Sequence, residues 1–181
     1  MSFSKLIWAG GVASVIGGLM WIFKGGSILL TGDQPPLVFE TAMPLFAFGV
    51  VGLGARLDEF KGPLGTAGVA VAYLAAASAV AAFLTDLPLF IAVAGFGPFL
   101  GLVLVGSAVL QAQVFPSPWS ALPLAIGLGG PVLILAGGGL ALINERLLEV
   151  PIVMVGLAWV LLGYLLLRGR TAPLRPQARV R

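Results

Sequence analysis

The chain has 181 residues, of which 59% are apolar and 9% charged, with a net charge of +3. Soluble domains carry about 25% charged residues, so a water-soluble globule is excluded. Cysteine and histidine are both absent, which excludes disulfides, thiolate or histidine metal sites, bis-histidine haem and histidine acid–base chemistry.

A helix needs about 20 apolar residues to cross a bilayer core about 30 Å thick. Six stretches meet that requirement, at about Leu6–Phe23, Leu37–Ala55, Leu64–Leu84, Leu89–Val114, Trp119–Ile143 and Glu149–Leu167. The expected fold is therefore all-α: one domain, residues 1–167, forming an integral membrane bundle of six transmembrane helices with antiparallel neighbours. Residues 168–181 form a basic tail expected to be disordered. Lys5 before the first stretch resembles the start of a signal peptide. Its apolar run is long for one, however, and no A-x-A-like site follows, so the stretch reads as a retained span.

Helix-start chemistry recurs between stretches. Asp33 precedes Pro35-Pro36, Asp86 precedes Pro88, and Ser117 precedes Pro118. Each pair reads as an N-cap with proline in the first turn, where the missing N–H costs nothing. The fourth stretch is longer than a crossing requires and is expected to tilt or to break near Gly95-Phe96-Gly97-Pro98. Pro44, Pro98, Pro123 and Pro131 lie within stretches two, four and five and permit kinks there. The glycine clusters at 127–130 and 137–139 make the fifth the least regular. Three serial hairpins or a three-plus-three inverted repeat would both fit the element count, but neither carries residue identity.

Basic residues set orientation. Lys5, Arg56, Lys61, Arg168, Arg170, Arg175, Arg179 and Arg181 fall on the side of the termini; Lys24 and Arg146 fall on the other. Both termini are therefore expected in the cytoplasm, with the protein multi-pass in the plasma membrane. The preference for Ala, Gly, Leu, Val and Arg over Lys and Asn suggests a GC-rich prokaryotic source.

Lipid gives helices no hydrophobic drive to associate, so small residues must let backbones approach. Gly10, Gly11, Gly17 and Gly18 on span one, Gly97 and Gly101 on span four, and Gly156 and Gly163 on span six are the expected packing positions, with Ala75 and Ala79 on span three. The same stripes would equally suit a second copy or a membrane-protein partner. The tryptophans and tyrosines lie mostly near span ends, as an aromatic belt requires.

Glu40 is an acid inside a span, and an intramembrane ionisable residue is a functional-site candidate by default. It lies only about 5 Å below the start of its helix at 1.5 Å per residue. There the helix dipole and interfacial water also suit a carboxylate. As a site, it would have Met43 and Pro44 one turn below to shape a pocket, and Lys24 or Arg146 as counter-ion. Asp33, Asp86, Glu145 and Glu149 would complete an outer acidic rim, read either as a cation-attracting mouth or as loop solvation and caps. A Ca²⁺ or Mg²⁺ site would need several of these to converge, and no metal or cofactor is expected.

The arginines of the tail, Arg168, Arg170, Arg175, Arg179 and Arg181, suit anionic lipid, at about 1 kcal/mol for each basic residue near the surface. Nucleic acid is not an expected partner of so short and tethered a segment. No nucleophile–base pair, phosphate loop or metal spacing is present. The leading expectation is a non-catalytic helical scaffold or accessory membrane subunit. The alternative is a transporter or channel for a small or apolar solute, through a cavity near spans two, four and five. A weaker third reading is an enzyme acting on lipid through the outer acids.

Overall fold

A computed structural model describes residues 2–57, 62–85 and 87–168, the side chain of Phe39 excepted. The described chain is all-helical: α1 (Phe3–Thr31), α2 (Val38–Arg56), α3 (Pro63–Thr85), α4 (Pro88–Ala112), α5 (Leu122–Ala141) and α6 (Glu149–Arg168). Short 3₁₀ turns at Trp119–Ala121 and Glu145–Leu148 lead into α5 and α6. Five helical stretches, at α1, α3, α4, Trp119–Ala141 and Glu145–Arg168, are long and apolar enough to cross a membrane.

Helix α1 departs most from expectation. It runs on past Phe23 to Thr31 and ends at Gly32, whose φ of 86° is left-handed. Its N–H donates to the Ile28 carbonyl, and glycine takes that conformation without the Cβ clash other residues meet. Helices α2, α4 and α5 run unbroken through Pro44, Pro98 and Pro131. The expected break near Gly95–Pro98 does not occur, and Pro123 sits in the first turn of α5, not inside it.

The expected caps also differ. The prolines at 35 and 36 lie in the loop before α2, and Leu37, with φ 62°, is the residue that opens the helix. Leu87 stands at the N-cap of α4 and Pro88 in its first turn; Asp86 lies outside the described residues. Leu37, Leu87 and Pro118, which stand at the N-caps, make no side-chain cap bond. Before α5 the Ser120 hydroxyl does the local work, accepting from the Phe115 N–H at 3.0 Å and donating to the Phe115 carbonyl.

Helix α2 sits at the centre, in contact with α1, α3, α4 and α6. It is threaded with small residues on several faces. Gly52 meets Gly10 of α1, Gly49 meets Ser14 of α1 and Trp159 of α6, and Gly54 meets Val69 of α3. A side chain at any of the three would strike a neighbouring helix. These three glycines are packing positions as strict as the stripes on α1, α4 and α6.

Helix α1 carries two separate seams. Gly10 and Gly17 face α2, where Gly17 packs on Leu45 and Phe46. Gly11, Gly18 and Gly25 face α6, opposite Gly163, Gly156 and Glu149 respectively. A methyl group at Gly18 would lie 2.5 Å from the Gly156 carbonyl oxygen, and one at Gly163 2.6 Å from that of Gly11. On the other side, Gly97 packs on Ala75 of α3, and Gly101 lies between Gly68 of α3 and Val50 of α2. All eight glycines singled out from the sequence thus face helices of the same chain.

The middle of the bundle is filled by aromatic rings. Trp21 meets Phe46 edge-on at 5.0 Å between centroids, and Phe46 stacks on Trp159 at 4.4 Å. Phe99 lies 6.5 Å from both tryptophans. Trp21 and Trp159 are 2% and 0% exposed, so these two are core and do not belong to an aromatic belt. Trp8, Trp119, Tyr73 and Tyr164 are exposed, but Tyr73 stands halfway along α3, away from either end.

Close seams make a sharp prediction. Gly18→Leu should lose at least about 1–3 kcal/mol from overpacking against backbone that has nowhere to go. Gly138→Leu, at a position with nothing within 4 Å, should stay within about 0.5 kcal/mol of the parent. Unfolding titrations in denaturing detergent would separate the two; equal stability would refute the α1–α6 seam.

Candidate functional site

The end of the bundle where α1 finishes and α6 begins gathers Lys24, Asp33, Glu40, Glu145, Arg146 and Glu149. Their arrangement follows from the α1–α6 seam. Gly25 abuts the Glu149 carbonyl oxygen, at 3.2 Å from the place a Cβ would take. Lys24, the preceding residue, is thereby brought onto the Glu149 side chain.

Lys24 Nζ donates to both carboxylate oxygens of Glu149, each at 3.0 Å. The side chains are only 7% and 6% exposed. From sequence, Lys24 stood in a loop and Glu149 on an acidic rim. The extra turns of α1 place Lys24 inside a helix instead, about 10 Å from its end at 1.5 Å per residue. Glu149 is turned inward, in the first turn of α6, where a carboxylate also complements the helix dipole. The lysine was visible in the sequence. Its partner, 125 residues away, was not, because the pairing depends on the register of two distant helices.

The remaining rim residues do not converge. Arg146 places its guanidinium against Gly32, with Nη2 2.9 Å from where a Cβ would stand. A cation there complements the C-terminal dipole of α1. Asp33 acts through its backbone: its N–H donates to Thr31 Oγ1 at 3.1 Å, and its carbonyl accepts from Ser27 Oγ at 3.2 Å. Glu145 is exposed in the 3₁₀ turn, whose start is capped by Asn144 accepting from the Arg146 N–H at 3.0 Å. Among the described residues no three acids come together as a cation site.

Glu40 stands apart from this group. It is exposed, in the first turn of α2, and lines a cavity of about 300 Å³ between α2, the end of α3 and the start of α4. Met43 lies on the same wall, facing Ala79, Ala82 and Phe83 of α3 and Ile91 and Ala94 of α4. Pro44 is half-buried in α2 and is not part of the lining. The counter-ions expected for Glu40 are placed elsewhere: Lys24 on Glu149, Arg146 at the end of α1. No side chain pairs with the Glu40 carboxylate among the described residues.

At the opposite end, Arg168 closes α6 with its guanidinium 5.8 Å from the centre of the Tyr164 ring. Arg170, Arg175, Arg179 and Arg181 lie outside the described residues. Gln113 ends α4 in a left-handed conformation, its amide donating to the Leu110 carbonyl at 2.7 Å.

The ion pair and the cavity differ in what they can do. The pair is a closed electrostatic contact suited to fixing register. Among the described residues the cavity presents one carboxylate, without a paired base, beside an apolar wall. For the pair, Lys24→Met or Glu149→Met alone should cost about 3–5 kcal/mol, because each removes one half of a buried, hydrogen-bonded ion pair. The double change Lys24→Met with Glu149→Met should recover most of that loss, since two apolar side chains need no partner. A double-mutant cycle on unfolding free energies reads this directly; additive losses would show that the two groups do not interact.

Comparison with protein families, with characterised proteins and with solved structures finds no match to this chain.

Proposed function

We propose that the protein is a non-catalytic membrane scaffold or accessory subunit: a six-span bundle in the cell membrane of a prokaryote, with both termini in the cytoplasm. On this reading α2 is the sixth crossing. Its 19 residues extend about 28 Å at 1.5 Å per residue, against a core of about 30 Å. Its Glu40 is tolerable because it sits in the first turn. An even number of crossings puts both termini on one side, and the bias of lysine and arginine toward that side supports the cytoplasm.

The observation that carries the scaffold reading is the contrast between a spent interior and an unspent α5. The interior is filled by Trp21, Phe46, Phe99 and Trp159 and braced by glycine seams. The helical stretch containing α5 is the least buried of the five apolar ones. It presents Leu128, Val132 and Leu135 outward, with Gly129, Gly138 and Gly139 meeting nothing within 4 Å. Small residues that no helix of the same chain uses suit a helix from another chain, whether a partner protein or a second copy.

Transport of a small or apolar solute is the second reading. The Glu40 cavity favours it, touching α2 and α4 of the three helices expected to line a pathway. The filled aromatic centre weighs against it. The lipid-enzyme reading has less support still, because the acids it needs do not converge among the described residues.

Gentle detergent extraction of the tagged protein from its own host, followed by native mass measurement, tests the scaffold reading. A stoichiometric partner or a defined oligomer is expected, lost in Gly129→Leu or Gly138→Leu while the monomer stays folded. A lone monomer under all extraction conditions would refute it. Topology has an independent test in this cysteine-free chain. Cysteines placed at Thr31 and Ser117 should react with an impermeant reagent from opposite sides of the membrane; reaction from one side would overturn the six-span arrangement.

A further inference from the structure

We infer that the Glu40 cavity is a binding site for an amphiphilic ammonium compound, a cationic amine head carrying an apolar chain. The inference rests on the six-span arrangement but not on the scaffold role, so loss of a partner or oligomer in the extraction test would leave it standing.

Three observations fix the ligand class. First, among the described residues lining the cavity one is charged. Glu40 lies on its rim, while Met43, Ala79, Phe83, Ile91 and Ala94 make the remainder apolar. Second, among the described residues no base pairs with the carboxylate: Lys24 lies on Glu149 and Arg146 at the end of α1. Third, the opening is ringed by exposed apolar side chains, among them Leu37, Phe83 and Ile91. In the six-span arrangement such a mouth would face acyl chains, with its carboxylate, in the first turn of α2, near the level of lipid headgroups.

The alternatives fail on chemistry. An anion would be repelled by Glu40. A neutral apolar solute would desolvate the carboxylate without pairing it, which is costly. A divalent metal needs several oxygen ligands, and the described lining supplies one carboxylate. A hydrated monovalent ion would make no use of the apolar walls. An ammonium head on Glu40 with its chain against Met43, Phe83 and Ile91 pairs the charge and covers the apolar walls. The volume, about 300 Å³, is at the lower end of ligand pockets and accommodates the head and first part of the chain, leaving the rest in the bilayer.

Two sources of this chemistry exist: a resident lipid with an ammonium headgroup, or a free lipophilic cation. The test uses the full chain in an uncharged detergent. Dodecyltrimethylammonium is titrated by equilibrium dialysis, and lipids retained through purification are identified by native mass measurement. The parent should bind the probe saturably, one per chain, without competition from dodecanol. Glu40→Gln should weaken binding by about tenfold or more, a loss of about 1.4 kcal/mol. Ala82→Trp, which fills the cavity from α3, should abolish it. Both variants should keep the parent's helix content by circular dichroism. Phosphatidylethanolamine retained by the parent and lost from Glu40→Gln would identify the lipid as the source; probe binding to a lipid-free parent would identify a free cation. Equal affinity in the parent and Glu40→Gln, or binding that never saturates, would overturn the inference.

Discussion

Helices this apolar gain nothing from hiding from lipid, so they hold together only where their backbones come close. The α1–α6 contact is where that constraint is met most fully. Gly11, Gly18 and Gly25 advance by sevens along α1 while Gly163, Gly156 and Glu149 recede by sevens along α6. A repeat of seven falls slightly short of two full turns of an α-helix, which is the geometry of a left-handed coil. Successive residues on a helix are about 100° apart, so Gly10 and Gly17 form a second face. That face receives α2, with Gly52 opposite Gly10. One helix with doubled glycines thus fixes two neighbours at once and joins the first and last helices of the chain.

The buried ion pair is a consequence of that seam. At its last step the α6 position is a glutamate, and its α1 neighbour is a lysine. Close backbone approach then leaves the two side chains no alternative to meeting. Buried pairs of this kind add little net stability, because desolvation offsets their attraction, but breaking one is expensive. Their effect is to penalise every other register. A shift of α1 against α6 by one turn would strand both charges in an apolar interior, so the pair and the glycines select the same alignment.

Placing α2 in the middle has a cost and a use. A central helix must fit several neighbours, and Gly49, Gly52 and Gly54 each give way to a different one. Helices α3 and α4 pack closely on each other at Ala75–Gly97 and Gly68–Gly101, and a gap against α2 lies at the end where Glu40 stands. The cavity and its carboxylate arise where the glycine and alanine seams give out. The same logic explains α5. Gly106 and Gly127 tie it to α4 through backbone contacts, while Gly129, Gly138 and Gly139 are left over.

The sequence by itself determined that the chain is helical, roughly where each helix lies, and which small residues are available for close contact. Those properties are local: apolar length, proline position and glycine spacing can be read along one strand of text. Gly18 and Gly156 were legible as packing residues for that reason. Only the tertiary structure decided which helix each glycine meets, that α2 is central, that Trp21 and Trp159 are core, and that Glu40 lines a cavity. It alone decided that Lys24 belongs to Glu149. Pairing between distant helices is set by rotation and register summed over the whole bundle. A charge near the end of an apolar run reads the same in sequence whether it faces water or, one helical turn further in, a partner on another helix.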